Sequence, residues 1–114
     1  MKIDQGSIWW VHPTPKIGSE QKGRRPALII QNDIANKYLK TTIIVMISNS
    51  GVKGRPEMLQ LGKEESLKSD SYVDFAQIFT INKKRLIKKV GNIKEEQWFS
   101  VQKALAMIFL KTIE

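Results

Sequence analysis

The fold class is decided by one apolar stretch, Thr42-Ile43-Ile44-Val45-Met46-Ile47, which is followed by Ser48. Its β-branched residues favour a strand, and the absence of apolar–polar alternation indicates a strand that is covered on both faces. The shorter run Ala27-Leu28-Ile29-Ile30 has the same character. Such strands fit a sheet that curls around a narrow interior better than an open sheet. Working outward from them, we predict five strands, at 7–11, 27–31, 41–48, 58–61 and 71–81.

Two helices complete the predicted architecture. Residues 33–39 are expected to form about two turns, with Asn32 or Asp33 as the N-terminal cap. Residues 94–112 have a clearer helical period, and Asn92, three residues before Glu95, resembles a capping box. The fold class that we predict is mainly β (α+β): a small β-barrel with a short internal helix and a long C-terminal helix. The apolar positions that give the long helix its period are Trp98, Val101, Leu105 and Ile108, with Thr112 next in phase.

Length and composition limit the functions to consider. A chain of 114 residues and 13.1 kDa is expected to be a single domain. Lys and Arg number 19 against 11 Asp and Glu, so the formal net charge of +8 indicates a polyanionic partner. With no cysteine and one histidine, a disulfide framework, a thiolate zinc site, a cysteine nucleophile and a multi-histidine metal centre are excluded. No apolar segment approaches the roughly 20 residues of a membrane span, so we expect a cytoplasmic protein.

Two stretches rich in Gly, Pro and polar residues, 12–26 and 49–56, are predicted to be surface loops that a substrate could reach. The first of them ends in Arg24 and Arg25, directly before an apolar strand that would hold Arg25 firmly. Arginine offers a permanently charged planar fork that suits a phosphate group and the charge that develops during phosphoryl transfer. The alternative is that both arginines are solvated or pair with Glu20.

The residues around this loop resemble a known family. The run 18–33, Gly-Ser-Glu-Gln-Lys-Gly-Arg-Arg-Pro-Ala-Leu-Ile-Ile-Gln-Asn-Asp, closely resembles the signature of the MazF/PemK family of toxin endoribonucleases. Residues 6–11, with Pro15, resemble the family's opening strand, and residues 42–48 resemble its third strand. The run 77–86, Gln-Ile-Phe-Thr-Ile-Asn-Lys-Lys-Arg-Leu, is similar to its Gln-x-x-Thr-x-Asp-x-x-Arg-Leu segment. The resemblance extends from about residue 6 to residue 93, and the C-terminal helix matches in character only.

This resemblance implies a single toxin domain over residues 1–114, with an SH3-like barrel that forms a homodimer. It implies metal-independent cleavage of single-stranded RNA at short sequence motifs, with no cofactor. Attack by the ribose 2′-OH on its own 3′ phosphate would leave a 2′,3′-cyclic phosphate and a 5′-OH end. The resemblance also implies a cognate antitoxin whose acidic and apolar C-terminal segment fills the RNA groove. The net charge of +8 fits both an RNA substrate and an acidic inhibitor.

The family's catalytic positions are carried over residue by residue. The arginine before the proline is Arg25, and the usual threonine at the end of the third strand is Ser48, which keeps the hydroxyl and loses the methyl group. Glu20 is our candidate for the general base, because arginine is a poor proton acceptor. The alternative role of Glu20 is to pair with an arginine or to cap the loop.

Four polar residues are assigned to substrate binding and none to a metal. Asn32 and Gln77 are neutral groups at strand ends that could contact base edges, although each could instead cap nearby backbone. His12 precedes a proline at the end of the first strand and is interpreted as structural rather than catalytic. The two other substrate-binding assignments, Ser19 and Gln21, lie in the loop before Arg25.

Departures from the family pattern leave a second function open. Phe79 replaces a common arginine, and Ala76 leaves incomplete an acid/base pair that some relatives carry near this Gln. Because of Ser48 and Ala76, the alternative remains that the barrel is not catalytic and binds RNA or a protein target such as DNA gyrase. The intact Arg25-Pro26 signature favours the enzyme. The basic run of Lys83, Lys84, Arg85, Lys88 and Lys89 is interpreted as a solvated face, with contacts to RNA phosphates as the alternative.

Overall fold

Six strands and two helices make up the described part of the chain, which in this computed structural model comprises residues 2–12, 24–48, 58–61 and 71–111. The strands pair in the order β4-β5-β3-β2-β1-β6, and each pair of neighbours is antiparallel. In chain order the elements are β1 (Ser7–Val11), β2 (Arg25–Ile29), α1 (Asp33–Tyr38), β3 (Thr41–Ser48), β4 (Met58–Gln60), β5 (Tyr72–Asn82), a 3₁₀ turn (Lys83–Arg85), β6 (Leu86–Asn92) and α2 (Glu95–Phe109).

The central strands are covered on both faces, as their unbroken apolar runs predict. One face packs against α2, where Val101 and Ala104 are buried. The opposite face of the sheet packs in a second apolar cluster. Because successive side chains of a strand point to opposite faces, Val45 lies in the first cluster and Met46 in the second. The α2 face includes Ile8, Leu28, Val45, Ile47, Val73 and Phe75, and the second cluster includes Trp9, Val11, Ala27, Ile29, Ile44 and Ile81.

The irregular pairing at the β1–β6 side of the sheet favours a curved, barrel-like shape. The pairing of β1 with β6 contains two register shifts, and such irregularities bend a strand and increase its twist. Beyond the end of β1, the His12 amide donates to the Arg85 carbonyl oxygen over 3.0 Å. The predicted mainly β (α+β) fold with a short internal helix and a long C-terminal helix is therefore confirmed.

The five predicted strands are present, but β6 was not among them. Lys88 and Lys89 interrupt its apolar pattern, because β6 lies at an edge of the sheet and exposes both side chains. The strand continues through Gly91 to Asn92, where Asn92 pairs with Ser7. A capping box that uses Asn92 was therefore a wrong prediction.

The two helices begin at different types of cap. Asn32 caps α1 with its side chain, whose oxygen accepts from the Ala35 amide at 2.9 Å. The Lys94 amide, just before α2, instead donates to the Gln97 side-chain oxygen over 2.8 Å. Thr112, at the predicted end of the long helix, lies outside the described residues. Neither helix in the described part of the chain is long and apolar enough to cross a membrane.

Candidate active site

A wide bulge in β5 shapes the candidate site. Val45 on β3 pairs with Ile78, whereas Ile47 pairs with Val73, so residues 74–77 of β5 all lie opposite Met46. Bulges of this kind change the direction in which side chains point and are common beside functional sites. Here Gln77, at the end of the bulge, lines the same cavity as Met46, whereas Phe75 packs in the apolar cluster beneath α2.

Asp74 holds this bulge together. Its side chain is only 7% exposed, and one carboxylate oxygen accepts from the Ala76 amide at 3.0 Å. The other oxygen accepts from the side-chain amide of Gln77 at 2.7 Å. Both oxygens of the carboxylate therefore have donors, and the orientation of the Gln77 amide is fixed by a charge-assisted hydrogen bond.

The register of β2 and β3 relates the positions of Arg25 and Ser48. Ala27 pairs with Met46 and Ile29 pairs with Ile44, so continuing this antiparallel register by two residues puts Arg25 opposite Ser48. Residues opposite each other on neighbouring strands have Cβ atoms about 5 Å apart and share a face of the sheet. The register is therefore compatible with one site that contains both residues.

A cavity of about 200 Å³ opens beside Arg25. Its floor is apolar and buried, whereas Arg25, Gln77 and Arg85 supply polar groups and Phe79 is partly exposed. With two permanently charged guanidinium groups and no carboxylate among the described residues of its lining, the cavity favours an anionic ligand such as a phosphate. The remaining lining residues are Ile44, Met46, Thr80 and Ile81.

Arg85 is a site residue that the sequence analysis placed in a solvated basic run. Its Nε atom donates to the His12 carbonyl oxygen over 2.7 Å, which holds the side chain at the cavity. The signal that could have identified it is the Arg-Leu pair that ends the segment resembling the family motif. His12, interpreted as structural, contributes its backbone to this arrangement, and its Nδ1 atom is buried without a hydrogen-bond partner among the described residues.

The structure brings three of the sequence-predicted site residues to one region and separates a fourth. Arg25 and Gln77 line the cavity, and Ser48 lies opposite Arg25. Asn32 follows the other end of β2, caps α1 and is not part of the cavity lining; its contact with a base stays a prediction. Ser19, Glu20 and Gln21 lie outside the described residues. Within the described residues there is no cluster of three or more side chains suited to hold a metal ion.

The fold and the candidate site together define a class: a small, basic protein with a barrel-like β-sheet and a small cavity lined by Arg25, Gln77 and Arg85. Residues 4–109 match the family of "PemK-like, MazF-like toxin of type II toxin-antitoxin system". The chain is 35% identical over 107 residues to endoribonuclease EndoA of Bacillus subtilis (strain 168), covering 92% of each chain. It is 37% identical over 105 residues to endoribonuclease MazF of Staphylococcus epidermidis, covering 90% of this chain and 88% of the relative. The chain therefore belongs to the PemK-like, MazF-like toxins, a family of endoribonucleases.

Solved structures of lower identity share the fold. Mycobacterium tuberculosis toxin MazF-mt6 has a TM-score of 0.78 at 18% identity, covering 90% of this chain and 95% of that one. A MazE-MazF crystal structure from Deinococcus radiodurans has a TM-score of 0.77 at 16% identity, covering 98% and 99%. An endoribonuclease in complex with its cognate antitoxin from mycobacterial species has a TM-score of 0.73 at 20% identity, covering 97% of each chain.

Proposed function

We propose that this protein is a sequence-specific, metal-independent endoribonuclease toxin that cleaves single-stranded RNA, and messenger RNA in particular. The observation that carries the proposal is the cross-strand placement of Arg25 and Ser48 beside a cationic cavity. The relatives named endoribonuclease, at 35% and 37% identity, support the same activity.

The proposed reaction is an internal transesterification. The ribose 2′-oxygen attacks the adjacent 3′ phosphorus, the bond from phosphorus to the 5′-oxygen breaks, and the products are a 2′,3′-cyclic phosphate and a 5′-OH end. Arg25 neutralises the charge that develops on the non-bridging oxygens, and the Ser48 hydroxyl donates to one of them. Glu20 accepts the proton of the 2′-OH, and the 5′-oxygen takes up a proton as it leaves. DNA is not cut because it lacks the 2′-OH.

Base recognition is proposed for the neutral polar residues. The side-chain amide of Gln77 lines the cavity, and Asp74 fixes its orientation, so its groups can meet a base edge without first being ordered. Ser19, Gln21 and Asn32 are proposed to contribute further contacts to the substrate.

The partners that we propose are a second copy of the chain and a cognate antitoxin with an acidic C-terminal segment, in the cytoplasm. The net charge of +8 favours an acidic inhibitor for the same electrostatic reason that it favours RNA. Two structural neighbours support an antitoxin as partner: one from mycobacterial species is described as in complex with its cognate antitoxin, and one from Deinococcus radiodurans is described as MazE-MazF.

The test is to incubate the protein with a long single-stranded RNA in EDTA and to map the new ends. We expect discrete cuts with 5′-OH ends, and we expect Arg25→Ala to slow cleavage about 10²- to 10³-fold, the loss typical of removing one oxyanion donor. Arg24→Ala is the matched control, because the Arg24 guanidinium lies over the Trp10 ring, 4.6 Å from its centroid, and is absent from the cavity lining.

Two results would contradict the proposal. Near wild-type cleavage by Arg25→Ala would refute the catalytic role of Arg25. Intact RNA from folded wild-type protein, together with tight binding of RNA or gyrase, would favour the non-catalytic barrel that Ser48 and Ala76 leave open.

A further inference from the structure

Phe79 is an exposed aromatic residue in the middle of a strand. Its side chain is 49% exposed, whereas Ile44, its partner on β3, is 1% exposed. Exposing a phenyl ring to water has a free-energy cost, so a ring that lines a cavity is a candidate contact for a ligand. The family resemblance does not account for it, because relatives commonly have an arginine at this position.

The position of Phe79 relative to the proposed catalytic pair follows from the strand register. Gln77 and Phe79 are two residues apart on β5, so both point to the face that carries Ile44. Ile44 precedes Ser48 by four residues on β3, which corresponds to about 13 Å along the strand. Phe79 is thus too far from Ser48 to contact the phosphate that is cut, and it is placed to meet a neighbouring nucleotide.

Besides the two guanidinium groups that favour a phosphate, the cavity offers the groups that bind a nucleobase. Its volume of about 200 Å³ is smaller than the 300–1,000 Å³ of sites for drug-sized ligands, and its floor is apolar. Bases of single-stranded RNA bind by stacking on aromatic rings or guanidinium planes while amide groups contact their edges. Phe79, Arg85 and Gln77 supply one group of each kind within one cavity.

We infer that Phe79 is a stacking platform for one RNA base that flanks the scissile phosphate, with the Gln77 amide at the edge of that base. The inference rests on the proposed function for the identity of the ligand. A phenyl ring carries no charge and releases no counterion, so its contribution to RNA affinity should not depend on salt. An arginine that binds phosphate at this position would make a salt-dependent contribution.

The experiment measures binding of short single-stranded RNAs in the Arg25→Ala background, so that cleavage does not interfere. Each RNA carries 2-aminopurine, a fluorescent base, at a different position. We expect quenching at one position, and we expect Phe79→Leu to weaken affinity about 5- to 150-fold, equally at low and high salt. Phe79→Trp, which keeps an aromatic surface, should retain affinity and quenching.

The matched control is Tyr38→Leu, because Tyr38 is an exposed aromatic residue on α1, outside the cavity lining. RNA affinity should not change in this variant. Unchanged affinity and quenching in Phe79→Leu would overturn the inference, as would a probe that is quenched at no position when Phe79 is intact. If the wild-type protein does not cut RNA but its binding depends on Phe79, the proposed function fails and the stacking platform stands.

Discussion

At the scale of single residues, the candidate site depends on Asp74, which no catalytic assignment includes. Asp74→Ala would remove the buried carboxylate that accepts from the Ala76 amide and from the Gln77 side-chain amide, two partly buried hydrogen bonds. We expect the free energy of unfolding to fall by about 1.5–3 kcal/mol, the contribution typical of hydrogen bonding to a charged group. Urea denaturation measures this change, and RNA binding should weaken because the Gln77 amide is no longer oriented.

Asp74→Asn keeps the shape of the Asp74 side chain but removes its negative charge. Asparagine keeps one acceptor oxygen and replaces the other with a donor, so it can accept from the Ala76 amide but not also from Gln77. We expect a smaller loss of stability than in Asp74→Ala, with a comparable loss of RNA affinity. Unfolding curves for both variants that match the wild type would show that Asp74 does not hold the bulge.

The sequence predicts Arg25, Ser48 and Gln77 as site residues because each lies in or beside a strongly apolar strand and in a segment that resembles a family motif. It did not identify the role of Asp74. That role depends on the register between β3 and β5, in which residues 74–77 lie opposite Met46. Register between strands distant in sequence is set by tertiary packing, so no local pattern of residues contains it.

At the scale of elements, the sequence predicted the strands that are buried on both faces and missed β6, a strand at the edge of the sheet. Both β2 and β3 are central strands whose apolar runs are visible in the sequence. In β6, Lys88 and Lys89 are exposed, so the apolar pattern that would indicate a strand is interrupted. Charged residues on an edge strand hinder its pairing with strands of other chains. The same residues interrupt the apolar pattern, so the strand is not detected in the sequence.

Consecutive apolar side chains are exposed at the end of α2 and just after it, at Met107, Ile108, Phe109 and Leu110. Exposed apolar side chains gathered in one part of a protein are typical of interaction sites, and we expect this segment to contribute to the proposed homodimer. The protein should sediment at twice the 13.1 kDa of one chain, and Phe109→Glu should shift it to the monomer, because Phe109 is 72% exposed and a buried unpaired carboxylate is costly.

The control for this variant is Gln102→Glu. Gln102 is an exposed polar residue in the middle of α2, so the same charge is introduced on the same helix away from its apolar end. This protein should stay dimeric. A dimer that survives Phe109→Glu would place the interface elsewhere, and dissociation by Gln102→Glu would show that any added charge on α2 is sufficient.

At the scale of the whole molecule, the cations behind the net charge of +8 are not all equally available to a ligand. Several cations of the basic run have partners within the protein: the Lys83 ammonium donates to the Asn36 carbonyl, and Arg85 donates to His12. Lys89 lies 3.8 Å from the Asp4 carboxylate. Lys88, the partner of Trp10 in the sheet, has an exposed side chain with no ion pair or hydrogen bond to another described residue. The run therefore combines structural cations with cations that are available to RNA.

This difference predicts how RNA affinity responds to salt. For a single strand, the logarithm of the affinity should fall against the logarithm of salt concentration with a slope of about −0.7 per phosphate neutralised. Lys88→Gln should reduce the steepness of this fall by about 0.7, because its exposed ammonium is available to neutralise one phosphate. Lys89→Gln should leave the slope unchanged, since Asp4 already offsets that charge. Fluorescence titrations between 50 and 200 mM salt measure both slopes. Wild-type slopes in both variants would mean that the two lysines are solvated, and a reduced slope in both would mean that the Asp4 ion pair does not keep Lys89 from RNA.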